Sequence, residues 1–132
     1  MAVAILTVTH GNLGHELLDT AASMLDAPLP LVCKALCVTD TSNADELLSE
    51  AQALCAEIDQ GDGVLVLTDI YGSTPSNICN KLSTSVTVRV LAGLSLPMLI
   101  RTMNYPDLDL DKLAEKALSG AHDGIIDCSS KR

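Results

Sequence analysis

The chain has 132 residues, a usual size for one domain, and its hydrophobic residues (48%) are numerous enough to build a buried core. The net charge of −9 and the scarcity of aromatic residues (2%) exclude the basic, aromatic-bearing surface of a nucleic-acid binder and disfavour an anionic membrane surface as partner. No apolar run reaches the roughly 18 residues that span a bilayer, and the start of the chain lacks the basic residues of a signal peptide. We therefore expect a single cytoplasmic domain over residues 1–132.

The apolar pattern predicts strands alternating with helices along the chain. Strands are predicted at the apolar runs 2–9, 31–38, 63–70 and 86–92, with a short last strand at 124–128. Helices are predicted from the apolar stripe at 17–25, after an N-cap at Asn43, from Thr74-Pro75, after an N-cap at Ser95, and over 109–119 with Gly120 as the C-cap.

This alternation predicts an α/β fold with a doubly wound, mainly parallel sheet in the order 2-1-3-4. The fourth strand would leave an apolar edge with Arg89 as its only charge, and such edges invite pairing with another strand. The last strand, 124–128, is the one segment left to cover this edge. We expect it to lie antiparallel at the edge, either within its own sheet or exchanged between the two chains of a homodimer.

Polar residues follow the first and third predicted strands, whose carboxyl ends meet at the switch point of a 2-1-3-4 sheet. His10 follows the first strand and Asp69 the third. A neutral imidazole can attack phosphorus through one nitrogen while an acceptor such as Asp69 holds the proton on the other. Gly11 removes crowding beside this nucleophile, and a helix that begins near Ser73 and Thr74 offers N–H and hydroxyl donors to a phosphate.

The other candidate ligands have plainer explanations. Five cysteines at irregular spacings are typical of reduced thiols in a cytosolic protein. Cys33 and Cys37 lie in one predicted strand, where four residues span roughly 13 Å, too far for one metal ion. His15 and His122 are predicted to be solvated surface residues. Neither a metal nor a cofactor is expected.

Three motifs in order resemble the IIA component of the mannose-family (mannose/fructose/sorbose) sugar phosphotransferase system. The first is Thr9-His10-Gly11 followed by Glu16-Leu17-Leu18. The second, at 67–77, contains an Asp, an aromatic-Gly pair and a Ser/Thr-Pro stretch that ends in Asn, and the third, at 91–99, reads Ala-Gly-x-x-x-Pro-Met-Leu from its second residue. The resemblance runs from the first strand to beyond the fourth.

The resemblance implies a phosphoryl carrier that is phosphorylated at His10 Nε2, with Asp69 as the partner of the ring. It also implies a phosphotransferase activity. It implies the phosphocarrier protein HPr as donor, a sugar-specific IIB component as acceptor, and a homodimer with an exchanged last strand. An alternative output is a truncated regulatory system that signals the phosphorylation state. The predicted site residues are His10 and Asp69 for catalysis and Gly11, Gly72, Ser73 and Thr74 for phosphate binding.

This chain departs from the family pattern at three positions. Ser73 stands where a second Gly is common, and Asn12 and Tyr71 stand where a tryptophan is often found, which bears on the partner surface. One alternative remains a receiver-like domain phosphorylated on Asp69, although the acidic pair that would hold Mg²⁺ after the first strand is replaced by Val8-Thr9-His10. Another is a nucleotide-binding or interaction module, for which 11–14 supplies only a fragment of a glycine-rich fingerprint.

Overall fold

The apolar runs of the sequence form strands, and the segments with helical periodicity form helices, in a computed structural model that describes residues 2–82 and 87–129. The elements are β1 (Ala4–His10), α1 (Leu13–Leu25), β2 (Cys33–Val38), α2 (Ala44–Ile58), β3 (Val64–Thr68), α3 (Thr74–Leu82), β4 (Val88–Ala92), α4 (Leu96–Met103) and α5 (Leu110–Asp123). Val86, which the prediction placed in the fourth strand, lies outside the described residues.

The four described strands form one parallel sheet in the order β2-β1-β3-β4, which confirms the predicted order. The register aligns the carboxyl ends of the three strands that matter for the site. His10 lies opposite Val38 of β2, and Val8 lies opposite Thr68 of β3. The loops that follow β1, β2 and β3 therefore emerge side by side at one edge of the sheet.

Helices cover both faces of the sheet. β1 is buried on both sides because its residues alternate between two apolar clusters, with Ile5 in one and Leu6 in the other. The first cluster packs β1 against α1, α4 and α5 through Leu18, Met98 and Leu113. The second cluster packs β1 against α2 and α3 through Leu47 and Ile78. Truncating a fully buried leucine or isoleucine to alanine typically costs about 2–5 kcal/mol, so β1 is firmly held beneath the site.

Side-chain caps begin three of the helices. Asn43 Oδ1 accepts from the N–H groups of Asp45 (2.9 Å) and Glu46 (3.1 Å), and Ser95 Oγ accepts from Met98 N–H (3.2 Å). The predicted N-caps at Asn43 and Ser95 are thus confirmed, and Asp109 caps α5 in the same way. The capping role predicted for Thr74 is not confirmed, because α3 begins at Thr74 itself. Over residues 2–82 and 87–129, no helix combines the length and the hydropathy needed to cross a bilayer.

The prediction that Gly120 ends the last helix is wrong. α5 continues through Gly120 to Asp123, and Gly124 is its C-cap. A Cβ at Gly120 would lie 2.3 Å from Arg101 Cβ, so this glycine permits close packing of α5 against α4. A glycine required for a helix contact and a glycine required for a helix end look alike in a sequence.

The predicted strand at 124–128 is also corrected, because residues 125–127 lie outside the four-stranded parallel sheet. α5 extends further than predicted, and Gly124 lies against Pro97 in the first turn of α4. The chain therefore leaves the helix beside α4, and Ile125 and Ile126 are 82% and 70% exposed. Exchange of this segment with a second copy stays a prediction.

Candidate functional site

His10 is the last residue of β1, and the turn that follows it presents its ring to solvent. Gly11 adopts a φ of +53°, a left-handed conformation that favours glycine, and its N–H donates to Val38 O at 2.8 Å. This bond ties the turn to the end of β2. The His10 side chain is 52% exposed.

Asp69 follows β3 and meets His10 across the edge of the sheet. Its Oδ2 accepts from the His10 backbone N–H at 3.0 Å and lies 2.9 Å from His10 Nδ1. Its Oδ1 accepts from Ile70 N–H at 2.9 Å. The carboxylate is only 9% exposed, so three N–H donors hold a nearly buried group in one orientation.

The charge state of Asp69 decides which nitrogen of His10 is free. Burial would raise the pKa of this carboxyl, but the hydrogen bonds from the His10 side chain, the His10 backbone and Ile70 outweigh burial, and the pKa is lowered below its usual 3.8. An ionised carboxylate only accepts hydrogen bonds, so Nδ1 must carry the proton. In the neutral ring, Nε2 then has a free lone pair and faces away from Asp69.

The predicted phosphate donors near the start of α3 are not equally placed. Gly72 adopts a φ of +86° and turns the chain into α3, which begins at Thr74. Thr74 lines the same surface depression as His10. The hydroxyl of Ser73 instead donates to Ile70 O at 2.6 Å, so its hydrogen is already used within the loop.

The depression at His10 has a volume of about 270 Å³. The β2–α2 loop supplies its third side, which the sequence analysis missed. Its lining residues are His10, Val38, Thr39, Asp40, Ser42 and Thr74. The available signal was topological, because β2 neighbours β1 and its carboxyl end lies at the same edge of the sheet.

The other two histidines are at the surface, as predicted. His15 Nε2 lies 3.3 Å from Asp19 Oδ2, but their side chains are 54% and 65% exposed, so water competes with this pair. Possible ligand atoms of His15, Glu16 and Asp19 lie within 4.8 Å of one another, all on exposed side chains. His122 is exposed in the last turn of α5.

The arrangement does not favour phosphorylation of Asp69 itself. Both carboxylate oxygens accept hydrogen bonds from N–H groups of His10 and Ile70, and the side chain is nearly buried. An attacking carboxylate oxygen would have to give up these donors. The half-exposed His10 ring, in contrast, can present Nε2 without breaking any of these hydrogen bonds.

The sequence matches one family profile over most of its length. The profile of the family described as PTS system fructose IIA component (EIIA-man) matches residues 4–118. The mannose-specific EIIAB component of the phosphotransferase system (PTS) of Escherichia coli (strain K12) is 30% identical over 128 residues. That match covers 95% of this chain and 39% of the relative, so the chain spans well under half of the relative's length.

Solved structures share the fold. The mannose/sorbose specific IIA subunit of the phosphotransferase system from Enterococcus faecalis superposes with a TM-score of 0.86 at 23% identity, covering 100% of this chain and 98% of that one. At this identity the likeness concerns the fold alone. The phosphotransferase system component EIIA from Streptococcus agalactiae superposes with a TM-score of 0.80 at 28% identity, covering 96% of this chain and 98% of that one.

Proposed function

The chain belongs to the mannose-type family of phosphotransferase-system IIA components, and on this premise we propose that His10 Nε2 is the atom that carries the phosphoryl group. The observation that supports this choice of atom is the contact between His10 Nδ1 and Asp69 Oδ2 at 2.9 Å. It holds the proton on the inner nitrogen and leaves the outer nitrogen free. The family itself accounts for the role of a phosphoryl carrier in a sugar phosphotransferase system.

The transfer step needs no group beyond the two proteins that meet. The lone pair of His10 Nε2 attacks phosphorus, a P–N bond forms, and the bond between phosphorus and the donor breaks with its electron pair remaining on the donor atom. The ring gains positive charge while Nδ1 keeps its proton. The Asp69 carboxylate stabilises that charge, and transfer to an acceptor reverses the same step.

We propose HPr as the donor and a IIB component as the acceptor, in the cytoplasm, with regulation through the phosphorylation state as the other possible output. Exposure of the His10 ring suits a phosphoryl group that arrives on another protein. Exposed apolar side chains follow the two site residues in sequence, with Leu13 (45%) after His10 and with Ile70 (61%) and Tyr71 (79%) after Asp69. Large apolar groups at an exposed site are typical of protein contacts, so we assign them to docking.

The test is phosphate transfer to the whole chain. Incubation with phosphoenolpyruvate, enzyme I and HPr is expected to add one acid-labile phosphate per chain, since phosphohistidine is labile in acid and phosphoserine is not. His10→Ala should take up none, whereas His15→Ala, a change to an exposed histidine on α1, should behave as wild type. Equal labelling of His10→Ala would refute the proposal.

In the same assay, Tyr71→Ser is expected to raise the HPr concentration that gives half-maximal rate.

A further inference from the structure

Three hydroxyl groups of the β2–α2 loop form a connected chain. Thr39 Oγ1 lies 3.3 Å from Thr41 Oγ1 and 3.1 Å from Ser42 Oγ. The backbone N–H of Thr39 also donates to Ser42 Oγ at 3.0 Å. Thr39 is therefore the middle of the chain, and Ser42 is one of its ends.

The contacts among these three hydroxyl groups do not use all of their hydrogens. Three hydroxyl groups have three hydrogens, and the two contacts between them use two. When Thr41 donates to Thr39 and Thr39 donates to Ser42, both acceptor positions of Ser42 Oγ are filled, by the hydroxyl and the backbone N–H of Thr39. The hydroxyl hydrogen of Ser42 is then free for a partner outside the loop.

Ser42 lies at the surface depression in which a phosphoryl group on His10 would be placed. It is half-buried and lines the depression of about 270 Å³ that also contains His10 and Thr74. A phosphoryl oxygen in this depression would favour the hydroxyl orientation that points the free hydrogen of Ser42 toward it, because a hydrogen bond to an anion is the stronger one. Ser73, which the sequence predicted as a phosphate donor together with Thr74, donates its hydroxyl hydrogen to Ile70 O instead.

We infer that Ser42 is a phosphoryl-binding residue that donates its hydroxyl hydrogen to the phosphoryl group on His10, with Thr39 as the positioning residue behind it. The inference rests on the proposed function of His10. A donor here has a physical reason, because Asp40 lines the same depression and its carboxylate repels a phosphoryl group. Ser42 then holds a phosphoryl oxygen from the β2–α2 loop, and Thr74 holds another from the start of α3.

The experiment measures how phosphate distributes between the full-length chain and HPr. Labelled phospho-HPr is mixed with the chain without enzyme I, and the labelled fraction of each protein is determined at equilibrium. Loss of a hydrogen bond to an anion at a half-buried position predicts that Ser42→Ala lowers the equilibrium constant for phosphorylation about three- to tenfold. Ser42→Cys keeps the shape but replaces the hydroxyl with a weak donor, so it should fall in the same direction. Ser42→Thr should restore the wild-type value.

The matched control is Thr41→Val, which removes the hydroxyl at the other end of the hydrogen-bonded series, outside the depression. It should stay within about twofold of wild type. Ser42→Ala at the wild-type value overturns the inference, and so does an equal loss in Ser42→Thr, which would indicate a purely structural role for the loop. A wild-type chain that takes no phosphate on His10 refutes the proposed function first and this inference with it, so the two failures are distinguishable.

Discussion

One oxygen atom, Asp69 Oδ2, receives both hydrogen bonds that His10 can direct inward, 3.0 Å from the backbone N–H and 2.9 Å from Nδ1. The backbone bond fixes the oxygen relative to the end of β1, and the oxygen in turn fixes the ring. The position of the imidazole therefore depends on the pairing of β1 with β3 as much as on its own torsion angles.

Replacing Asp69 with Asn should slow phosphoryl transfer while leaving the fold intact. The carboxylate accepts from three N–H groups of His10 and Ile70, but an amide has one acceptor oxygen and one donor nitrogen. In either orientation the amide nitrogen faces an N–H donor of His10 or Ile70. The neutral amide also no longer balances the positive charge that the ring gains during transfer. We expect a loss of about 10²–10⁴ in the transfer rate, measured by rapid quench with phospho-HPr.

Asp19→Asn is the control for that rate, because this exposed carboxylate also pairs with a histidine but lies on α1 away from Asp69. It should transfer at the wild-type rate. Circular dichroism should show folded protein for both variants. An unchanged rate in Asp69→Asn would remove Asp69 from the mechanism.

The lowered pKa of Asp69 predicts a stability difference that depends on pH. Because its pKa in the folded chain lies below the usual 3.8, the unfolded chain binds more protons and folding stability rises with pH. The contribution of Asp69 is complete above about pH 3.8 and is lost as the pH falls through the folded value. The difference in unfolding free energy between wild type and Asp69→Asn should stay constant above pH 5 and shrink as the pH is lowered below about 3.8 in urea titrations. A constant difference would contradict the assignment.

Two threonines of β1 should respond oppositely to loss of their hydroxyls. Thr7 Oγ1 is buried and has no hydrogen-bond partner among the described residues, whereas Thr9 Oγ1 accepts from Gly14 N–H at 2.8 Å. Thr7→Val should leave the free energy of unfolding unchanged or raise it by up to about 1 kcal/mol, since it removes an unpaired buried polar atom. Thr9→Val should lower it by about 1–3 kcal/mol, because Gly14 N–H loses its acceptor. Urea unfolding of the matched pair tests the order.

Gly120→Ala should destabilise the chain although alanine is the better helix former. Alanine in place of glycine inside a helix usually gains about 1 kcal/mol, but here the new Cβ would lie 2.3 Å from Arg101 Cβ. Forcing α4 and α5 apart typically costs about 1–3 kcal/mol, so we expect a net loss. Glu115→Ala, on the exposed side of α5, should change stability by less than about 0.5 kcal/mol. A more stable Gly120→Ala would mean that the helices separate freely.

The predicted homodimer has its test at the C-terminus. β4 is an edge strand of the described sheet, and Ile125 and Ile126 are strongly exposed just after α5. Light scattering of the full chain should give twice 13.8 kDa. The double change of both isoleucines to Asp should yield monomers, and Asp127→Asn in the same segment should not. A full-length chain that stays monomeric at high micromolar concentration would rule out the exchange.

Local patterns in the sequence determined the order of elements from β1 to α5, the sheet order 2-1-3-4, the N-caps at Asn43 and Ser95, and the two segments that contain His10 and Asp69. Periodicity and caps act over a few residues, and the alternation of strands with helices limits the topology. Only the tertiary structure decided that both inward bonds of His10 meet at one oxygen, because side-chain distances between residues 59 apart depend on strand register. The tertiary structure also decided that the β2–α2 loop lies beside His10, that Gly120 permits close helix packing, and that residues 125–127 lie outside the sheet. These three features depend on how closely elements that are distant in sequence pack together.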